Sequence, residues 1–161
     1  MMIQTMEGNG CNPSNICGFG PISDPSAEIL ILGTIPGGRS LELGQYYGHP
    51  RNAFWVIMES VVGAGIRRSY PERERLLITS RIALWDVLYS AVRKGSLDSA
   101  IDPATVIAND FAGFFNRHPL IDRIVFNGGN ACSLFRRHVR GRLPPGLPDR
   151  KSTRLNSSHR I

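Results

Sequence analysis

The sequence predicts an α/β domain built on a mainly parallel sheet, and three observations carry that reading. Strand-like and helix-like periods alternate along the chain. Short aliphatic runs, "EILILG" (Glu28 to Gly33), "RIALWDV" (Arg81 to Val87) and "DRIVFN" (Asp122 to Asn127), recur between the helical stretches, and the first and third end at turn residues. At 161 residues the chain can bury one sizeable core and hardly two.

Taken in order, residues 1–25 are rich in Gly, Asn, Pro and Ser and read as a flexible arm ahead of a single domain over 26–148. The run ending at Gly33 is the first strand. Phe54, Ile57, Met58 and Val61 then recur at helical spacing and predict one apolar face, which Gly63 closes. A second helix starts at Pro71, with Glu72 and Glu74 well placed in its positive first turn. The Arg81 to Val87 strand follows. Asp110 can cap a helix bearing Phe111, Phe114 and Phe115, which Pro119 stops. After the strand ending at Asn127, a last helix runs from about Asn130, with Leu134 and Phe135 inward and Arg136, Arg137 and Arg140 near its negative end.

Composition narrows the class of function. The chain is 42% hydrophobic and 20% charged, ordinary for a soluble globular domain, and its aliphatic runs are far too short to cross a bilayer. The N-terminus lacks a basic start and an apolar core, so no secretory signal is expected and the cytoplasm is the default. Cys11, Cys17 and Cys132 are odd in number, and their spacing fits neither a zinc pair nor a redox pair, so free thiols are expected. No cofactor or metal motif is present. The formal charge of +6 suggests an anionic partner, yet residues 149–161 supply half of it, with four basic residues against one acid.

Gly33, Gly38, Arg39 and Ser40 in "LILGTIPGGRS" have the spacing of a phosphate-binding loop. Arginine stands where lysine should be, however, and Gly44, Gly48 and Pro50 forbid the long helix such a loop requires. Asp86 is also weak as the magnesium carboxylate of such a site. A nucleotide-binding protein is therefore the lesser alternative. A non-catalytic DNA-binding module is the other, because stacking aromatics and basic residues serve binding as well as cleavage.

The residues after the glycines are more specific. "LGTIPGGRSLELGQYYGHPRNAFW" resembles the first motif of the uracil-DNA glycosylase superfamily, and is most similar to its hypoxanthine (deoxyinosine) branch; "LWDV", "GSLDSAI", "NDF" and "FNGGNACSLFRRH" continue the likeness over residues 19–148. The resemblance implies a three-layer α/β/α fold of the uracil-DNA glycosylase type. It also implies a cofactor-free, monomeric repair enzyme that flips a deaminated base out of DNA and hydrolyses its glycosidic bond.

Such an enzyme must grip the flipped base and ease its departure with negative charge. Neutral carboxamides suit the task, since asparagine matches the adjacent N1–H and O6 of hypoxanthine without titrating. The resemblance implies Asn52 and Asn127 as the catalytic pair. It assigns the base to Thr34, Ile35, Pro36, Tyr47 and His49, with Tyr47 as stacking platform, and DNA contacts to Gly37, Arg39, Ser40 and Arg51. Ile35 stands where related thymine and mismatch-uracil enzymes carry a water-positioning asparagine, which disfavours ordinary uracil chemistry. Each residue also has a plainer reading. Asn52 could only cap a helix, Asn127 before Gly128 suits a strand-ending turn, His49 suits a turn, and the basic residues suit solvated surface. Phe54 and Trp55 read as core. Lys94, the single lysine before the tail, reads as surface, so no Schiff base and no strand-cleaving activity are expected.

Asp149 to His159 resembles the frame translation of a sequencing-adapter oligonucleotide, and residues 149–161 are expected to be an artefactual or disordered tail. Relatives in the superfamily continue past "RLPPGL" into a fourth strand and a wedge loop. The chain is accordingly expected to lack its last strand, to leave a sheet edge bare, and to be weakly active or inactive.

Overall fold

A computed structural model of the chain describes residue 11, residues 14–145 and the backbone of residues 151–155. In chain order these form β1 (Ile16–Cys17), β2 (Ile29–Gly33), α1 (Gly38–Leu43), α2 (Phe54–Val62), α3 (Tyr70–Thr79), β3 (Ile82–Asp86), β4 (Leu88–Ala91), β5 (Ile107–Ala108), α4 (Phe111–Arg117), β6 (Arg123–Asn127), α5 (Gly129–His138) and β7 (Lys151–Leu155). The main sheet has the order β3-β2-β6-β7 with every pair parallel. A central parallel strand is covered on both faces, which is why β2 reads as an unbroken aliphatic run and not an alternating one.

The side-chain alternation of these strands makes the three layers. Leu30, Leu32, Ala83, Trp85, Ile124 and Phe126 point to one face, where they meet Phe111, Phe114 and Phe115 of α4 and Ala131, Cys132 and Phe135 of α5. Ile31, Ile82 and Leu84 point to the other, against Phe54, Trp55 and Met58 of α2 and Leu77 of α3. Each such large side chain withdrawn from water contributes roughly 1.5–3 kcal/mol, so the two cores hold the helices to the sheet.

The helix ends follow local chemistry. Ser69 and Glu72 close a reciprocal capping box at α3, with Pro71 in its first turn. Asp110 accepts from the Gly113 amide at α4, and α2 ends on Gly63 at φ 76°. Val61, expected inward on α2, is 62% exposed instead: the helix turns its Phe54, Trp55 and Met58 edge to the sheet.

A small antiparallel sheet, β1-β4-β5, escapes the sequence reading because its strands are two to four residues long, too brief to show a period. It corrects the flexible-arm expectation for residues 16–25. Ile16 and Cys17 pair with Ala91 and Ser90, Ile22 bridges Leu84, and Ile22 is buried. Cys17, held by this pairing, stands in a disulfide with Cys11 across a Cα separation of 6.3 Å, so these two are not the free thiols expected. Cys132 is free and buried.

The expectation of a missing last strand is also corrected. Residues 151–155 run parallel to β6 in continuous register from Arg123–Lys151 to Asn127–Leu155. Strand pairing is made by backbone groups, so an open sheet edge can accept an extended segment of undistinguished sequence. The remainder of the expected tail and the first ten residues lie outside the described residues.

Candidate active site

Parallel α/β sheets present ligands at the carboxyl ends of their strands. Here three adjacent strands end on Asp86, Gly33 and Asn127. Gly33 is in register with Asp86 of β3, and Leu32 with Phe126 of β6, which places Asn127 one step beyond on the other side. Val87 donates its amide to the Gly33 carbonyl at 2.9 Å and Asn109 Nδ2 donates to the Asp86 carbonyl at 2.8 Å, so the tip of β3 is fixed on both sides.

Tyr47 reaches into this corner because its neighbour is anchored. The Tyr46 hydroxyl donates to the Gly20 carbonyl at 2.8 Å, its carbonyl accepts from Trp55 Nε1 at 2.9 Å, and its amide donates to the Tyr70 hydroxyl at 3.0 Å. The chain then leaves Tyr46 with Tyr47 at φ 52°, a left-handed conformation that a bulky residue adopts only where surrounding contacts dictate it. The Tyr47 ring stacks on Phe54 at a centroid distance of 4.1 Å.

The polar atoms gathered there are unsatisfied. Tyr47 Oη, Asp86 Oδ2 and Asn127 Oδ1 are all buried without a hydrogen-bond partner. The Asn127 carboxamide faces the Tyr47 hydroxyl and favours its ionised form, while burial and the Asp86 charge, the larger influences, push the phenol well above its ordinary range. Asp86 is 3% exposed, and its burial, reinforced by the charge of Asp98, pushes the carboxyl up to about 7. Buried polar groups are normally paired, and three orphans at one strand-end corner leave polar atoms that a ligand can pair.

The residues expected from sequence fall into two groups. Asn127 and Tyr47 lie in the corner. Asn52 is exposed beside it: its Oδ1 accepts from the backbone amide of Phe54 at 2.9 Å, and the Phe54 ring lies under Tyr47. That oxygen holds the first amide of α2, whose N-cap position is Ala53 with no side-chain cap. Thr34, Ile35 and Pro36 are buried, and the Ile35 side chain belongs to the core packed against α4 and α5, so at that position only backbone can face a base. Pro36 is braced from behind, its carbonyl accepting from Arg93 Nη2 at 2.8 Å, and the Gly38 amide donates to Ser96 Oγ at 2.9 Å.

His49 and Arg51 are exposed and tied together, the Arg51 amide donating to His49 Nδ1 at 3.1 Å. Gly37 starts α1, which spans only Gly38–Leu43 before Gly44 ends it at φ 64°, so the long helix of a phosphate-binding loop is absent here, as the sequence implied. Arg39 is exposed but paired with Glu42 at 2.9 Å. Ser40 corrects its expected DNA contact: it is buried, and its Oγ accepts from the Gly48 amide at 3.0 Å to close the loop.

The sequence reading missed Asp86. Its signal was a carboxylate ending an apolar strand, but the reading weighed it only against magnesium chemistry, whereas Asn127 entered through the family resemblance. Among the described residues no group of His, Cys, Asp or Glu side chains could hold a metal ion, and no helix is long and apolar enough to cross a membrane.

No family model matches the chain. It is 38% identical over 112 residues to a hypoxanthine DNA glycosylase of Methanosarcina barkeri (strain Fusaro / DSM 804), covering 69% of this chain and 70% of the relative. A hypoxanthine DNA glycosylase of Methanosarcina acetivorans is likewise 38% identical, over 115 residues, with 71% and 72% covered. A solution NMR structure from M. acetivorans described as a uracil DNA glycosylase superposes with a TM-score of 0.69 at 34% identity, covering 87% of this chain and 83% of that one. Sequence likeness of this extent, on the same layered fold, means that the chain belongs to the hypoxanthine DNA glycosylase branch of the uracil-DNA glycosylase superfamily.

Proposed function

We propose that the protein is a DNA glycosylase that hydrolyses the N-glycosidic bond of deaminated bases in DNA, foremost hypoxanthine, and acts as a monomer in the cytoplasm. The observation that carries this reading is the corner of unpartnered buried atoms from Tyr47, Asp86 and Asn127 at the strand ends. A flipped base brings N–H and C=O groups that such atoms can pair. Tyr47, backed by Phe54 on one face, offers its ring to the base. Asn127 and Asn52 supply neutral donors as the C1′–N9 bond breaks and negative charge moves onto the purine. Water adds to C1′, and the base leaves with a proton. Thr34, Ile35 and Pro36 contribute backbone groups to the base, with His49 at the rim, and the Gly37 turn, Arg39 and Arg51 meet the DNA backbone. Lys94 is exposed on the turn after β4, and no covalent sugar–amine step is assigned to it.

Duplexes containing inosine, xanthine or uracil, incubated with the protein and then treated with alkali, test the reading. Strand breaks at inosine that Asn127→Ala abolishes are expected. Tight binding to the inosine duplex without any released base would instead make the protein a binding module.

A further inference from the structure

We propose that Asp86 is the residue by which this site separates hypoxanthine from adenine, its carboxyl oxygen accepting the N1–H that the deaminated base has and adenine lacks. The inference rests on the glycosylase reading above and deepens it. Asp86 is not accounted for by packing alone. Its Oδ2 is buried with no donor, although its backbone is locked through Asn109 and its strand is paired along its length with β2. The carboxyl occupies space that only a glycine at position 33 leaves open, since a Cβ there would lie 2.5 Å from Asp86 Oδ1.

The order of groups across the corner matches one edge of one base. Deamination turns the N1 lone pair and 6-amino group of adenine into an N–H donor beside a C=O acceptor. Asp86 on β3 offers an unpartnered acceptor, and Asn127 ends β6 on the other side of Gly33, where its carboxamide, turned so that Nδ2 faces the base, would offer a donor. Adenine would set its N1 lone pair against the ionised carboxylate, leaving both unpaired, and sites built to pair a polar group reject analogues that lack it far more strongly than apolar pockets reject a change of size. Guanine shares the hypoxanthine edge and must be refused at its 2-amino group, so Asp86 sorts hypoxanthine from adenine alone.

The ionised carboxylate is the accepting form. The charge that acts on it is the carboxylate of Asp98, which reinforces the effect of burial, and its own charge in turn raises the phenols of Tyr46 and Tyr47. Burial raises the carboxyl from its ordinary range, and an incoming N–H favours the charged state.

The test compares excision of 2′-deoxyinosine and 1-methyl-2′-deoxyinosine from duplex DNA, by the full chain in excess over substrate. In the wild type, methylation at N1 removes the hydrogen and is expected to slow excision by about 100-fold or more. In Asp86→Ala, which lacks the acceptor and has room for the methyl group, excision of inosine falls by about 30-fold or more and the methylation penalty collapses to less than about 5-fold. Asp86→Asn keeps an acceptor oxygen and retains part of the penalty. A variant too slow to follow is read by binding of the corresponding 2′-fluorinated duplexes, which resist hydrolysis, after a melting curve has verified folding. Should Asp86→Ala not fold, the Asn variant supplies the ratio.

An equal methylation penalty in wild type and variants overturns the role of Asp86. A wild type that leaves inosine uncut while binding its duplex overturns the enzymatic reading, a different outcome.

Discussion

Gly33 and Asp86 stand side by side in register at the ends of β2 and β3, and the glycine has no side chain because the aspartate and Tyr47 occupy that volume. A Cβ at position 33 would lie 2.5 Å from Asp86 Oδ1 and 2.6 Å from Tyr47 Oη, both closer than real contacts allow. Gly33→Ala is therefore expected to displace both groups. Overpacking of this kind costs about 1–3 kcal/mol, which urea denaturation would register, and excision of hypoxanthine should fall by about 10-fold or more as the corner opens.

Asp86 makes stability depend on pH. Its carboxyl is raised from 3.8 to about 7, so between those values the native state binds the proton that the unfolded chain has released. Stability then decreases as pH rises through this window, and the full cost is present above it. Asp86→Asn removes the charge at nearly constant shape. It should be more stable than wild type at about pH 8, by at most roughly 4 kcal/mol, and the difference should vanish below about pH 4. Denaturation curves at the two pH values decide it, and a constant difference would show that Asp86 titrates normally.

Asn52 and Asn127 call for different substitutions. Asn127→Ala removes the carboxamide that faces the Tyr47 hydroxyl at the proposed base site and is expected to reduce excision by about 100- to 1,000-fold, read beside a melting curve that verifies folding. Asn52 also accepts from the Phe54 amide, so alanine there would confuse a lost cap with lost chemistry. Asn52→Asp keeps the accepting oxygen while replacing the amide donor by a second acceptor and a negative charge. Its melting temperature should hold while excision falls by at least about 10-fold; full activity would reduce Asn52 to a helix cap.

Arg51 and Arg39 differ in their freedom to meet phosphate. Arg39 must first leave Glu42, whereas no ion pair to Arg51 is seen among the described residues. Arg51→Ala should weaken duplex binding for all sequences alike and lower the slope of log affinity against log salt by about 1, with a smaller change for Arg39→Ala. Titrations at several salt concentrations measure both slopes.

The alternation of aliphatic runs with helical periods determined the layered α/β fold, because burial on both faces leaves a strand no polar positions and burial on one face gives a helix its period. The same sequence made the Gly33 to Trp55 segment recognisable, since its turn glycines and paired aromatics are local features. The antiparallel sheet and the burial of Ile22 were not legible, because each depends on partners distant along the chain.

Asp86 shows the division most sharply. In sequence it is one carboxylate after an apolar run, fit for a turn, a metal or nothing. Only strand register sets it beside Gly33, only the anchoring of Tyr46 swings Tyr47 over it, and the resulting exclusion of water, with the charge of Asp98, raises its proton affinity. Periodicity is written residue by residue, but desolvation and the meeting of three strand ends are properties of the packed chain, and those are what make a site.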